Sequence, residues 1–137
     1  MLDANVLIAL LDRRDALHAR AFELVEDHAW DTLCTSTVTF AEALVRPSRL
    51  GLASAHETYL RSIGVRVVPL THRAAHGIAA LRARERVGVP DAIAVITAQQ
   101  VDGMLATFDR RLSRLARRHD VDLAEPYDDG GLWPFPT

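Results

Sequence analysis

The chain has 137 residues, of which 49% are hydrophobic, and a formal net charge of -2 at pH 7. This length predicts a single folded domain, residues 1–137, and the small net charge excludes binding of nucleic acid through overall charge alone. The single cysteine, Cys34, excludes internal disulfides and a cysteine-based zinc site. No apolar run approaches the roughly 18 residues of a membrane-spanning helix, and no charged segment precedes a cleavable apolar one. We therefore expect a cytoplasmic protein with no membrane partner.

All 16 basic residues are arginine, and the chain contains no lysine. A Walker-type phosphate loop requires a lysine, so this class of nucleotide-binding site is excluded. The phosphate-receiver domain and the haloacid dehalogenase-type phosphatase, which also gather acids at strand ends, normally rely on a lysine too. The phosphatase in addition uses a second aspartate two residues after the first, where this chain has Asn5 after Asp3. Both classes are therefore disfavoured.

Helical periodicity dominates the first half of the chain, with one short apolar run between the helices. Ser36 or Thr37 is suited to capping the helix after this run, and Asp15 to capping an earlier one. The residue before a proline avoids the helical conformation, so we expect a helix to end at Arg46-Pro47. The elements predicted here are helix 4–11, helix 16–25, strand 31–36, helix 37–46 and helix 52–63.

Strands and helices alternate in the second half. Gly64 ends one helix, Thr71 can cap the next, and that helix ends at Gly88. Pro90 and Asp91 open a helix that is apolar on most sides and should be largely buried. The elements predicted here are strand 65–70, helix 72–87, helix 90–100, strand 103–107, helix 110–119, an edge strand at 121–124, and an irregular tail from about residue 127.

Strands that alternate with helices indicate an α/β fold, in which a parallel sheet is covered by helices on both faces. Parallel strands bring their carboxyl ends, and the starts of the following helices, to one edge of the sheet, where ligands collect. Only Met1 and Leu2 precede Asp3, so we expect a very short first strand or a start upstream of Met1.

Four acidic residues occupy positions that this topology brings toward the same edge. Asp3 and Asp109 each follow a predicted strand, Asp91 lies in a first helical turn, and Glu42 lies inside a helix. Taken singly, each could be a helix cap or a solvated surface acid. Four carboxylates in one cleft would raise one another's pKa, and a hard divalent cation such as Mg²⁺ would relieve that repulsion. The set therefore predicts a metal site.

The chain resembles the PIN domain family and, within it, the VapC-type toxins of bacterial toxin–antitoxin modules. The resemblance covers nearly the whole chain and follows the family's order and spacing. It is carried by Asp3-Ala-Asn-Val-Leu-Ile, by Thr35-Ser36 through Ala41-Glu42, by Pro90-Asp91-Ala92-Ile93-Ala94 and by Ala106-Thr107-Phe108-Asp109.

This resemblance implies a three-layer α/β/α sandwich around a mainly parallel five-stranded sheet. It implies a metal-dependent ribonuclease, with Mg²⁺ or Mn²⁺ as cofactor, a homodimer, and a separate antitoxin protein as inhibitor. It carries over Asp3, Glu42, Asp91 and Asp109 as metal-binding and catalytic residues. Asn5 and Thr107 match positions that support the site. A catalytically inactive PIN-like module that binds RNA or protein remains the alternative.

Arginines on the last predicted helix are candidates for holding RNA, because arginine donates paired hydrogen bonds to phosphate. These are Arg110, Arg111, Arg114, Arg117 and Arg118, of which Arg110 and Arg111 are nearest Asp109. A solvated helix face, with arginines near a carboxyl end that favours positive charge, is the equally weighted alternative. Trp30 could stack on a base, but its place beside a short strand favours the core.

Overall fold

The computed structural model describes residues 1–124, and the irregular tail expected from about residue 127 lies outside them. Within the described range, no helix is long and apolar enough to cross a membrane. The elements, in chain order, are α1 (Ala4–Leu11), α2 (His18–Asp27), β1 (Cys34–Ser36), α3 (Thr37–Arg49), α4 (Ala53–Ser62), β2 (Arg66–Val68), α5 (His72–Arg84), α6 (Val89–Gln100) and α7 (Arg110–Arg118).

β1 and β2 form a parallel ladder in which Cys34 pairs with Arg66 and Ser36 with Val68. On the opposite side of β1, the Leu2 N–H donates to the Cys34 carbonyl over 2.7 Å. The Thr35 hydroxyl donates to the Leu2 carbonyl over 3.0 Å and strengthens the same junction. The first residues of the chain therefore lie beside β1.

Two isolated parallel bridges extend the pairing, Leu2 with Ala106 and Leu105 with Leu123. The five segments expected as strands are thus hydrogen-bonded neighbours, but among residues 1–124 only β1 and β2 are regular strands. The expected five-stranded sheet is present only in part. The first segment is short because α1 begins at Ala4, which leaves Leu2 as its one bridging residue.

The extended segments separate two hydrophobic cores, because successive residues of an extended chain point to opposite faces. Met1 and Leu105 pack into one core with α5, α6 and α7. Their chain neighbours Leu2 and Ala106 pack into the other, with α1, α2, α3 and α4. Helix α6 is buried from Ala92 to Ala98, which confirms the expectation from its apolar sequence.

Two predicted helix caps, Ser36 and Thr71, are confirmed, and Asp109 is a third cap. Ser36 accepts a hydrogen bond from the Thr39 N–H and begins α3, directly at the end of β1. Thr71 accepts one from the Ala74 N–H and begins α5. Asp109 caps α7. Such bonds satisfy amides that the first helical turn leaves without partners. They also fix where α3 and α7, which carry or adjoin the acids, leave the sheet.

Two predicted helix boundaries are wrong. Helix α3 does not end at Arg46-Pro47 but continues to Arg49, because Pro47 is buried and its carbonyl accepts bonds from the Leu50 and Leu52 N–H groups. These contacts offset the helical hydrogen bond that proline cannot donate. Asp15 does not cap α2: its carboxylate accepts from the Leu17 N–H in a turn before the helix.

Trp30 and the end of α5 also differ from the predictions. Trp30 lies in the turn after α2, ahead of β1, and its side chain is fully exposed rather than in the core. Helix α5 ends at Arg84, before the expected residue 87, because Glu85 adopts an extended conformation. The segment from Glu85 to Gly88 therefore forms a loop that leads into α6.

Candidate active site

The Thr107 hydroxyl is the centre of a hydrogen-bond network at the carboxyl end of the first extended segment. It donates to Asp3 Oδ2 over 2.8 Å. It accepts from Asn5 Nδ2 over 3.2 Å and from the Asp109 N–H over 3.1 Å. A hydroxyl has one proton and two lone pairs, so its bonding capacity is full and its proton must point at Asp3. The network thereby fixes Asp3 as an acceptor.

Asn5 joins the same network from helix α1. Its side-chain oxygen accepts from the Phe108 N–H over 3.2 Å, while its amide donates to Thr107. Because the side chain spans two consecutive residues before Asp109, it ties the start of α1 to the start of α7. The structure therefore places Asn5 and Thr107 between two of the predicted acids, in positions suited to the supporting roles that the family resemblance implies.

Asp3 is the most perturbed of the acids. Its pKa is raised to about 6 from the ordinary 3.8, chiefly by burial and in addition by the charges of Asp91 and Asp109. The hydrogen bond from Thr107 and the Ala4 N–H act in the opposite direction. Desolvation disfavours the charged form of a carboxyl group, whereas donated hydrogen bonds favour it. Asp3 is thus held at a cost in free energy that a nearby cation would reduce.

Asp91 links the remaining acids. Burial and the Asp109 charge raise the pKa of Asp91, and the Arg111 guanidinium lowers it. Partial burial, together with the charge of Asp91, raises the pKa of Glu42 on α3. Asp3, Glu42 and Asp91 therefore each experience the charge of at least one other predicted acid. Asp91 takes part in an electrostatic interaction with each of the other three, which brings the four acids into one set.

Asp109 occupies a helix N-terminus in addition to its place in the cluster. Its Oδ1 accepts from the Arg111 N–H over 2.8 Å and from the Leu112 N–H over 3.3 Å. The second oxygen, Oδ2, takes no part in this cap. A carboxylate is also favoured at the positive end of a helix. Asp109 can therefore cap α7 with one oxygen and face the other acids with the second.

The donor set fits Mg²⁺ or Mn²⁺ in chemistry but forms an open site. All four candidate ligands are carboxylates, the hard oxygen donors that these ions prefer. Among residues 1–124, no three His, Cys, Asp or Glu side chains are close enough together to hold an ion by themselves. Mg²⁺ is usually bound by one or two carboxylates, with waters and substrate phosphate as the other ligands. The open cluster is compatible with that mode.

A cavity of about 270 Å³ adjoins the acids at Asp91. Of the predicted RNA-binding residues, Arg111 and Arg114 line it, whereas Arg110 is not part of its lining. The full lining is Glu85, Arg86, Val87, Asp91, Arg111, Arg114, Leu115 and Arg118. The sequence interpretation named Arg118 together with the other arginines of α7 but missed Arg86. Arg86 lies in a loop, so no helical spacing marks it.

A second cavity, of about 750 Å³, is larger, but none of the four acids lines it. Its walls include Met1, the residues before β1, and the segment from Val101 to Met104 that follows α6. These residues lie at the amino ends of the extended segments, opposite the acids. A choice by size alone would take this cavity as the active site. The four candidate acids, however, lie at the opposite ends of the extended segments.

Comparison with known proteins agrees with this geometry. A family model described as PIN domain matches residues 1–118. Among solved structures, a chain described as "Toxin-antitoxin complex from Klebsiella pneumoniae" is similar over 79% of this chain and 84% of its own length, with 26% sequence identity and a TM-score of 0.67. No curated protein matches. Since the matched family model spans the extended segments, the acids and α7, the chain belongs to the PIN domain family.

Proposed function

We propose that this chain is a metal-dependent endoribonuclease of the VapC type, which acts as a toxin and is neutralised by a cognate antitoxin. The observation that carries the proposal is the bridge from Asp3 through Thr107 to Asp109, beside Asp91. A structural role would not explain three acids with raised pKa values at one edge, because their burial and their mutual repulsion destabilise the fold. A bound cation and a phosphate substrate would use that arrangement.

Asp3, Asp91 and Asp109 would hold Mg²⁺ or Mn²⁺, directly or through water. Glu42, exposed on α3, would bind a second ion or orient the attacking water. The bound ion would lower the pKa of water and neutralise negative charge on the phosphate. Water adds to phosphorus, the bond from phosphorus to the 3′ oxygen breaks, and the leaving oxygen takes up a proton. The products are a 3′-hydroxyl and a 5′-phosphate.

The chain's own contribution is to hold its acids in position and in the charged form. Thr107 orients one oxygen of Asp3 and favours its ionised state. The α7 N-terminus orients one oxygen of Asp109 through two backbone N–H groups. Arg111 moderates the charge of Asp91. We further propose that the five hydrogen-bonded segments form the complete sheet of a three-layer sandwich, with the acids at its carboxyl edge.

The toxin assignment and the antitoxin partner rest on similarity to the chain from the Klebsiella pneumoniae toxin–antitoxin complex. The acidic cleft is suited to inhibition by a basic side chain, because the planar fork of arginine matches a carboxylate. An inhibitor segment that folds on binding could place such a residue among the acids. The inactive, PIN-like binding module remains the alternative function.

The deciding experiment is cleavage of RNA by purified protein with Mg²⁺ or Mn²⁺, with and without EDTA. We expect cleavage that EDTA abolishes and products that carry 5′-phosphates. Asp91→Asn should lose at least about a hundredfold in rate, since the amide keeps the shape of the carboxylate but not its charge. An unchanged rate in EDTA would exclude the metal mechanism, and RNA binding without any cleavage would favour the inactive module.

A further inference from the structure

The cavity beside Asp91 is enclosed by the loop before α6 and by one face of α7. The loop contributes Glu85, Arg86 and Val87, and α7 contributes Arg111, Arg114 and Arg118. The helical arginines share a face because positions three and four apart are neighbours on a helix. Leu115, also on this face, is buried and packs against the protein core. Because Leu115 anchors this face of α7 to the core, the backbone positions of the helical arginines are fixed.

The four arginines are not equivalent. Arg118 is anchored: its Nε and one terminal nitrogen each donate to Glu85 over 3.1 Å, and His119 also contacts that carboxylate. Arg86, Arg111 and Arg114 make no side-chain hydrogen bond or ion pair with any residue of the described part of the chain. Their guanidinium donors therefore remain for a ligand, while Arg118 and Glu85 hold the loop against α7.

The lining has an excess of positive charge. Four arginines face two acids, Glu85 and Asp91. Glu85 is already engaged by Arg118 and His119, and Asp91 belongs to the acid cluster. The volume of about 270 Å³ is close to the lower end of the range for small-ligand sites, about 300–1,000 Å³. The cavity thus fits a compact anion bound next to the acids.

We propose that this cavity is a phosphate subsite for the RNA backbone, in which Arg86, Arg111 and Arg114 bind a phosphate adjoining the one that is cleaved. The inference rests on the proposed ribonuclease function. The ligand is a single-stranded RNA segment that enters past Asp91, and arginine binds phosphate through paired charge-assisted hydrogen bonds. Because the contacts are to backbone, the subsite positions the strand and does not read its sequence.

An acidic protein segment could also bind arginines, but the position of the cavity favours RNA. Asp91 lies in its wall and is one of the acids that would hold the metal ion beside the scissile phosphate. Any strand cleaved there must place a neighbouring phosphate close by, because successive nucleotides each carry one. A carboxylate of a protein segment has no such covalent link to a group that is cleaved at the acids.

The test measures binding of a fluorescently labelled single-stranded RNA in EDTA, over a range of salt concentrations, so that neither metal nor cleavage is needed. The variants are Arg86→Ala and Arg114→Ala, whose side chains are exposed and make no contact that the fold requires. The matched control is Arg73→Ala. Arg73 is exposed in the first turn of α5, about 17 Å along the helix from Arg84. Melting temperatures verify that all variants are folded.

Each phosphate contact contributes about 0.7 to the slope of log affinity against log salt for single strands. We expect Arg86→Ala and Arg114→Ala each to reduce this slope by about 0.7 and to weaken binding about fivefold at 0.1 M salt, for RNAs of different sequence alike. Arg73→Ala should change neither quantity. Unchanged slopes in both cavity variants would overturn the subsite.

The failure of this inference can be distinguished from failure of the proposed function. If wild-type protein cleaves RNA with Mg²⁺ while the cavity variants keep the wild-type slope, the nuclease function stands and the subsite is wrong. If the wild-type protein does not cleave RNA but the cavity variants show a smaller salt slope, the subsite is supported and the protein is an inactive RNA-binding module. Variants that bind RNA normally but bind the antitoxin more weakly would assign the cavity to protein recognition instead.

Discussion

Replacement of Thr107 by valine tests whether the hydroxyl sets the charge of Asp3. Valine keeps the branched shape of the side chain but removes the donor to Asp3 and the acceptor for Asn5 and for the Asp109 N–H. The pKa of Asp3 is about 6, raised chiefly by burial, and the hydrogen bond from Thr107 keeps it from being higher. Its loss should therefore raise that pKa further.

The expected magnitude follows from the strength of the lost bond. A hydrogen bond to a charged group contributes about 1.5–3 kcal/mol, and about 1.4 kcal/mol corresponds to one pKa unit. We expect the pKa of Asp3 to rise by at least about one unit in the valine variant. At pH 7 a group with a pKa near 6 is about nine-tenths ionised, whereas one with a pKa near 7 is about half ionised. The two amide donors left without an acceptor should also lower the free energy of unfolding by about 1–3 kcal/mol.

The assay is a carbon NMR titration of the Asp3 carboxyl group in EDTA, with Thr107→Ser as the matched control. Serine keeps the hydroxyl, so its variant should retain the wild-type midpoint within a few tenths of a pH unit. At pH 6 with Mg²⁺, the valine variant should cleave RNA more slowly than the wild-type protein and the serine variant. A valine variant that titrates at the same pH as wild type would refute the claim that Thr107 controls the ionisation of Asp3.

Three other properties follow from the site and the surface. The folded pKa of Asp3, about 6, lies above its unfolded value of 3.8, so ionisation of Asp3 destabilises the fold as pH rises through that interval. Asp3→Asn should therefore have a higher melting temperature than wild type at pH 8 in EDTA, and the same melting temperature at pH 3. Calorimetry checks this, and a lower melting temperature at pH 8 would indicate that the Asp3 charge supports the fold. Leu52 and Tyr59 are exposed on the α4 side, so we expect a homodimer of twice 15.1 kDa in sedimentation at micromolar concentration, and monomer alone would contradict it. An arginine-to-alanine change in the antitoxin segment that enters the cleft should weaken inhibition more than binding, and an inhibited complex with open, Mg²⁺-loaded acids would exclude this mode.

Local signals in the sequence predicted the helix starts that matter for the site. Ser36, Thr71 and Asp109 each cap a helix through a backbone N–H two or three residues ahead, an interaction that depends on neighbouring residues only. Pro47 was misleading because its effect depends on burial and on Leu52, which closes the end of α3 from outside the helix. Trp30 was misplaced because one large apolar side chain beside a strand does not show where the turn ends.

The acids were predictable as a set because parallel topology brings strand ends to one edge. The residues that surround the acids were predictable only in part. Family resemblance marked Asn5 and Thr107 as supports but not the threefold bonding of the Thr107 hydroxyl, which depends on the register between the first segment and Ala106. Likewise, Arg86 lines the same cavity as Arg114 only because the loop at Glu85 lies against α7. Such contacts arise from the tertiary fold and leave no local pattern.

The two acids best held by hydrogen bonds, Asp3 and Asp109, come from opposite ends of the described chain. The Asp3 N–H donates to the Ala106 carbonyl over 3.0 Å, and the Ala106 N–H donates to the Met1 carbonyl over 2.8 Å. Closing a loop of roughly 100 residues costs about 4 kcal/mol of chain entropy, more than these backbone bonds return at about 1 kcal/mol each. Burial of Leu2, Leu105 and Ala106 in the two cores must supply the difference. The acid cluster is therefore a property of the complete fold: separation of the first segment from residue 106 would divide it even if every helix stayed intact.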